Sequence, residues 1–286
     1  MCRFTLYVGP PITISSLVTE PEHSLIHQSF HSRERSEPLN GDGFGVAWWP
    51  ANRSSEPAVF KSTTPAWSNK NLLELAPVVE SGFIMAHVRA ATRGSGTLEV
   101  NCHPFKSHGY AFMHNGDVGD FIHLKRHVLA QLSDESFATI LGSTDSEHVF
   151  ALFLDEARAG KVERGDAEGM GRALERAVQR VIDLAKEHAP KADLWLNFAV
   201  CDGAAAAVMR YTNVAGNDGS SLYLNTGRRY ICEEGMCRMI APQRGEGAVL
   251  VSSEPLSQEP GWSPVPARSL VLVHPDRSTS TCSLPY

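Results

Sequence analysis

No apolar run in this 286-residue chain approaches the roughly 20 residues that a helix needs to cross a bilayer. The first residues, Met1-Cys2-Arg3-Phe4-Thr5, lack the basic start and continuous apolar stretch of a signal peptide. Lys and Arg never cluster and the net charge is −6, so no nucleic-acid footprint is suggested. There is no internal repeat, no low-complexity tract and no linker that would split the chain. Cysteine is sparse, with Cys2, Cys102, Cys201, Cys232, Cys237 and Cys282 scattered along the sequence. Cys232 and Cys237 stand within zinc-knuckle range, but no second pair follows at the usual distance. A structural zinc site is therefore disfavoured, and all cysteines but Cys2 read as ordinary thiols of a reducing cytosol. These absences predict a cytoplasmic protein with a small-molecule substrate, no membrane or nucleic-acid partner, no metal and no cofactor.

What is present reads as one large globular domain over residues 1–286, with 42% hydrophobic and 20% charged residues. Phe4, Leu6 and Val8 alternate with Arg3, Thr5 and Tyr7, the period of a strand with two different faces. Phe44–Trp49 reads as a strand entered from the turn-forming Asn40-Gly41-Asp42-Gly43, Phe83–Val88 as a strand buried on both faces, and Tyr110–Met113 as a short one. Two helices follow, one starting at Ser143-Thr144-Asp145-Ser146-Glu147 and one over about Ala167–His188, stopped by Pro190. Strands return at Leu194–Cys201, Ala205–Tyr211, Ser221–Thr226, Ala248–Ser252 and Leu270–His274; residues 278–286 read as a loose tail. Strands, central helices, then strands predict an α+β fold: a four-layer αββα sandwich of two antiparallel sheets.

Several residues carry chemistry. Removal of Met1 would leave Cys2 with its thiol and a free α-amine on one residue, a nucleophile and a base together. The amine, with a pKa of about 8, is partly neutral near neutral pH and can take the thiol proton. Arg89, two residues beyond His87 at the end of a strand, could grip a carboxylate with two hydrogen bonds, or could be a structural ion-pair partner. Asn115 and the Gly116 N–H would make a two-donor oxyanion hole, although Asn-Gly is also a plain turn dipeptide. Asp145 could hold an ammonium group, or could simply cap its helix.

Taken in order, Cys2, Asn-Gly-Asp-Gly-Phe-Gly, His-Val-Arg-x-x-Thr, Asn-x-His-Pro, His-Asn-Gly and Thr-Asp-Ser-Glu resemble the class II glutamine amidotransferases. These belong to the N-terminal-nucleophile hydrolases, whose fold is the αββα sandwich. Met1-Cys-Arg-Phe4, Thr64-Pro-Ala-Trp67, Phe112-Met-His-Asn-Gly116, Leu196-Asn-Phe-Ala-Val200 and Ser253-Glu-Pro-Leu256 look like one branch, the amidotransferase-type subunit of the fungal glutathione-degradation complex. The resemblance implies Cys2 as nucleophile, Asn115 and Gly116 at the oxyanion, Arg89 and Thr92 on a glutamyl α-carboxylate, and Asp145 on its α-ammonium. It implies hydrolysis of the γ-glutamyl bond of glutathione or a related compound through a Cys2 thioester, with a peptidase-like partner subunit. Glutamine hydrolysis feeding ammonia to a partner enzyme is the second reading, and a non-catalytic regulatory subunit the third. Synthase-linked members carry Trp after the carboxylate-binding Arg, whereas here Ala90 leaves room beside the substrate. No synthase segment follows the hydrolase domain, so ammonia channelling would require another chain.

Overall fold

The computed structural model describes residues 2–34, 39–50, 54–91, 96–233, 235–240 and 247–286. Two antiparallel sheets lie face to face. The first has seven strands in the order Trp262–Pro264, Tyr223–Gly227, Ala248–Ser252, Arg3–Thr13, Glu80–Val88, Phe44–Trp48 and Ala58–Ser62. The second has six, Thr279–Ser283, Ser269–Val273, Ala206–Thr212, Leu194–Cys201, Tyr110–Val118 and Phe105–Ser107. The predicted αββα sandwich is the observed architecture.

The alternation of the first strand explains its central place. Phe4, Leu6 and Val8 point between the sheets, where they meet Met113, Ala199, Val208 and Val271 of the second sheet. Tyr7 points the other way, into a core closed by the short helices Ser15–Val18, Leu25–Phe30 and Lys70–Leu75. The second sheet turns its outer face to the helices Asp145–Ala159 and Ala167–His188. Phe112 sits there between Phe150 and Phe198, with ring centroids 5.1 and 5.2 Å away. Strands such as Leu194–Cys201 and Ala248–Ser252 are buried on both faces, which is why they read as nearly continuous hydrophobic runs.

The long helices begin where polar side chains accept their first N–H groups. Asp166 takes the N–H of Gly169 at 2.8 Å. Thr144, and not Asp145, is the N-cap of the first long helix, its hydroxyl accepting from the N–H of Glu147 at 3.2 Å. The Glu147 carboxylate turns back to accept from the N–H groups of Leu141 and Gly142 at 2.9 and 2.7 Å, which fixes the entry of the chain into the helix. Among the described residues, no helix is long and apolar enough to cross a membrane.

Four expectations are corrected. The strand from Tyr110 does not stop at Met113 but runs through His114, Asn115 and Gly116 to Val118, so Asn115-Gly116 is mid-strand and not a turn. A further helix, Phe121–Ala130, follows it; it buries only Leu124 and Val128, too narrow an apolar stripe to stand out in sequence. The tail is ordered, because Thr279–Ser283 pairs with Ser269–Val273 and the Tyr286 ring meets Tyr211. Cys232 and Cys237 are not free thiols. They face each other across the hairpin Arg229–Glu233/Met236–Ile240 and form a disulfide, a closeness that depends on the turn between the strands.

Candidate active site

Strand register makes the first contact of the site. Arg3 pairs with Val88, so Cys2 and Arg89 emerge side by side where the two central strands of the first sheet end. The loop Asn40–Gly43 locks Arg89 from the other flank. Asn40 donates to the Val88 carbonyl at 3.3 Å, the Arg89 N–H donates to the Gly43 carbonyl at 2.8 Å, and the Asp42 N–H to the Arg89 carbonyl at 3.1 Å. The Asp42 carboxylate accepts from the Ala91 N–H at 2.8 Å. Asn-Gly-Asp-Gly, read in the sequence as a turn into a strand, is thus the brace of Arg89. Arg89 is only 3% exposed, and its guanidinium reaches the carbonyls of Asp42 and Gly96, each at 3.4 Å.

Cys2 is 7% exposed and its thiol points towards the Ala90 carbonyl at 3.6 Å. It lines a cavity of about 430 Å³ together with Arg89, His103, Gly116 and Asp145. The structure therefore brings four of the predicted residues to one hollow between the ends of the sheets. Asn115 is fully buried between His114 and Gly116, both of which line the hollow. Thr92 lies outside the described residues.

Gly116 is required where it stands. A Cβ there would fall 1.6 Å from the Trp195 carbonyl oxygen of the neighbouring strand and 2.7 Å from Nε2 of His114. Asn115 Nδ2 lies 3.3 Å from Ser253 Oγ, and that same hydroxyl accepts the Phe4 N–H at 3.0 Å. Ser253 thereby joins the strand of Cys2 to Asn115 across the two sheets. Asp145 is tied down by backbone: one oxygen accepts from Val118 N–H at 2.8 Å and the other from Ser146 N–H at 2.7 Å. A carboxylate retains lone pairs after two such bonds and can still accept from a cation.

Two buried histidines, His103 and His114, line the hollow and a third, His87, is buried against them; none hydrogen-bonds to the Cys2 thiol in any contact that the structure shows. His114 Nε2 donates to the Trp195 carbonyl, which can only accept, at 3.0 Å, and Nδ1 lies 2.8 Å from Ser146 Oγ. Burial pushes His87 down to about 3, against the opposing effect of its hydrogen bond to the His114 carbonyl. Burial likewise holds His103 well below the ordinary imidazole range, with the like charges of His87 and His114 acting in the same direction. His103 stacks 4.3 Å from His87 and neither of its ring nitrogens has a partner among the described residues. Cys102, the other thiol in this stretch, donates to the Ser62 and Leu98 carbonyls at 3.6 and 3.7 Å, and burial raises its pKa. It packs behind the Gly43 turn, where an added Cβ would meet its sulfur at 2.6 Å.

One cluster escaped the sequence reading. Glu254, buried behind Cys2, accepts from Arg3 Nε at 2.9 Å, from His23 at 2.7 Å, from the Arg33 N–H at 2.9 Å and from Ser32. Arg3 in turn donates to the Cys2 carbonyl at 3.0 Å. Burial pushes the Glu254 carboxyl up, but the bonds from His23, Ser32 and Arg33 and the Arg3 charge together hold it far below the usual carboxylate range. The only sequence signal was Ser253-Glu254 in a resemblance motif, since its partners lie more than 200 residues away.

Comparison with known proteins gives this arrangement a family. The description "Glutamine amidotransferases class-II" matches residues 15–214. The chain is 40% identical to the probable glutamine amidotransferase DUG3 of Saccharomyces cerevisiae, over 96% of this chain and 84% of that one. It is 25% identical to the γ-glutamyl-hercynylcysteine sulfoxide hydrolase of Mycolicibacterium smegmatis, over 95% of each. A solved class II glutamine amidotransferase domain protein from Silicibacter pomeroyi superposes with a TM-score of 0.68 at 25% identity, covering 99% of both chains. The chain thus belongs to the class II glutamine amidotransferases and is an amidohydrolase of γ-glutamyl amides.

Proposed function

We propose that the chain, acting as a single domain over residues 1–286, hydrolyses the γ-glutamyl bond of glutathione or a related γ-glutamyl peptide through a Cys2 thioester. The observation that carries this is the meeting of the Cys2 thiol with Arg89, Gly116 and Asp145 on one cavity. Once Met1 is removed, the Cys2 thiol attacks the γ-carbonyl and its proton passes to the residue's own α-amine. The histidines do not compete for this task, because burial keeps His87 and His103 neutral and the His114 nitrogens are engaged.

Asn115 and the Gly116 N–H stabilise the oxyanion, a contribution of about 3 kcal/mol per donor at comparable sites. The ammonium returns its proton to the leaving nitrogen as the C–N bond breaks. Water then attacks the thioester, releasing glutamate and restoring the thiol. Arg89 and Thr92 take the glutamyl α-carboxylate, and Asp145 the α-ammonium. Ala90, beside the thiol, leaves space for a leaving group larger than ammonia. The Mycolicibacterium relative, named for hydrolysis of γ-glutamyl-hercynylcysteine sulfoxide, supports a leaving group larger than ammonia.

A peptidase-like partner subunit, which would consume the released dipeptide, belongs to the same reading. The second reading, glutamine hydrolysis supplying ammonia to another chain, uses the same residues and is favoured by the name of the yeast relative. Rates on glutamine, glutathione and a γ-glutamyl anilide separate the readings. Preference for glutathione over glutamine is expected, glutamine alone being cleaved would favour the second reading, and inertness towards all three would leave a regulatory subunit.

A further inference from the structure

Among the described residues, the cavity wall holds one cation that the glutamyl group does not use. Arg89 and Asp145 account for the α-carboxylate and α-ammonium, and Asp117, the other carboxylate on the wall, already has a partner. Lys125 remains. It stands on the helix Phe121–Ala130, half-buried, and among the described residues it has neither a hydrogen bond nor an ion pair. Next to it on the same helix, Phe121 and Ile122 give the cavity an apolar stretch, Ile122 being 76% exposed at the rim. The hollow, about 430 Å³, leaves room beyond a glutamyl group for a leaving group of some length.

An ammonium with no hydrogen bond or ion pair among the described residues, beside an apolar wall, fits a particular ligand end, an apolar segment that terminates in an anion. Resting on the γ-glutamyl hydrolase reading above, we propose that Lys125 is a specificity-determining residue that binds a free carboxylate on the leaving-group side, so that the preferred substrates are γ-glutamyl peptides with an ionised C-terminus. Because Lys125 is only half-buried, the contact is screened by solvent and salt, and a discrimination of about tenfold is expected.

The test compares glutathione with its C-terminal amide, two substrates that differ by this charge alone. The readout is the ratio of their kcat/KM values in the full-length mature protein. In the wild type the acid should exceed the amide about tenfold at low ionic strength, and the ratio should shrink as salt is raised to about 0.5 M. Lys125→Gln should bring the ratio close to one, and Lys125→Glu should invert it in favour of the amide. Circular dichroism and thermal melting of both variants verify that they are folded. Equal kcat/KM for acid and amide in the wild type, or a ratio that both variants leave unchanged, overturns the role of Lys125 while γ-glutamyl hydrolysis stands. Absence of turnover on any γ-glutamyl compound overturns the reading beneath it, and this inference with it.

Discussion

The wall that carries Cys2 and Arg89 is placed by strand register and braced by the Asn40–Gly43 loop, whereas the wall that carries Asn115, Gly116 and Asp145 adds to its strand ladder side-chain hydrogen bonds at the functional residues themselves and a position with no room for a Cβ. On the first wall, the pairing of Arg3 with Val88 places the two residues whatever their side chains are. On the second, Asn115 depends on Ser253, Asp145 on the Val118 N–H, and Gly116 on a neighbouring carbonyl that excludes any side chain. The first wall should therefore tolerate substitution structurally and fail only chemically. The second should lose geometry and chemistry together.

Breaking the first wall has the largest expected effect. Cys2→Ala should abolish turnover, a loss of roughly three orders of magnitude or more, with melting temperature close to the parent. Mass spectrometry of the active parent should show Cys2 at the N-terminus; full activity in protein that retains Met1 would exclude the amine as base. Gly116→Ala tests the opposite behaviour. Its Cβ would overlap the Trp195 carbonyl, so both activity and thermal stability should drop, the latter by about 1–3 kcal/mol measured by denaturant unfolding. Retained stability with lost activity would mean that the second wall is as independent of its side chains as the first.

Arg89→Lys and Asp145→Asn compare the walls at the substrate. Each should lower kcat/KM by about one to two decades on glutamine and glutathione alike, because both substrates share the glutamyl end. Values within about a factor of two of the parent on both substrates would make these residues structural. Changes at Ala90 should instead alter the ratio between the substrates.

The last effect concerns pH and falls on stability alone. His87 and His103 are held neutral in the folded protein, whereas the unfolded chain protonates its histidines near pH 6.5. Below that value the unfolded state binds more protons, so stability should fall with pH from about 6.5 towards 3, by about 1.4 kcal/mol per pH unit for each such histidine. Glu254 has the depressed pKa of a bonded carboxylate. Its contribution is complete above the ordinary carboxylate range and is lost as pH falls below it. Urea unfolding at pH 7.5 and 5.5 isolates the histidines, since Glu254 is ionised in both states there. A flat profile over that interval would mean that the buried histidines take up protons in the folded protein as readily as in the unfolded chain.

Much of this was readable before the structure. The period-two alternation of Phe4, Leu6 and Val8 and the apolar run Phe83–Val88 announced buried strands, because a strand presents alternate residues to opposite faces. The apolar stripe of Ala167–His188 announced its helix, and the order of Cys2, Arg89, Asn115 and Asp145 announced a family. The helix Phe121–Ala130 escaped, since two buried residues in ten leave no stripe to read. So did the continuation of Tyr110–Met113 through Asn115-Gly116, because this dipeptide ordinarily turns the chain and only the carbonyl of Trp195 reveals why a glycine is needed in mid-strand. The cross-hairpin disulfide escaped because a turn, and not spacing, faces Cys232 to Cys237.

Local pattern alone determined the strands, the two long helices and which residues could do chemistry, since periodicity, caps and side-chain types are properties of neighbouring positions. Only the tertiary structure decided that Cys2 stands beside Arg89, that Ser253 and Glu254 serve the site from the far end of the chain, and that Lys125 faces the cavity with no hydrogen bond or ion pair among the described residues. Those facts depend on register between strands and on the approach of distant segments, which no local pattern encodes.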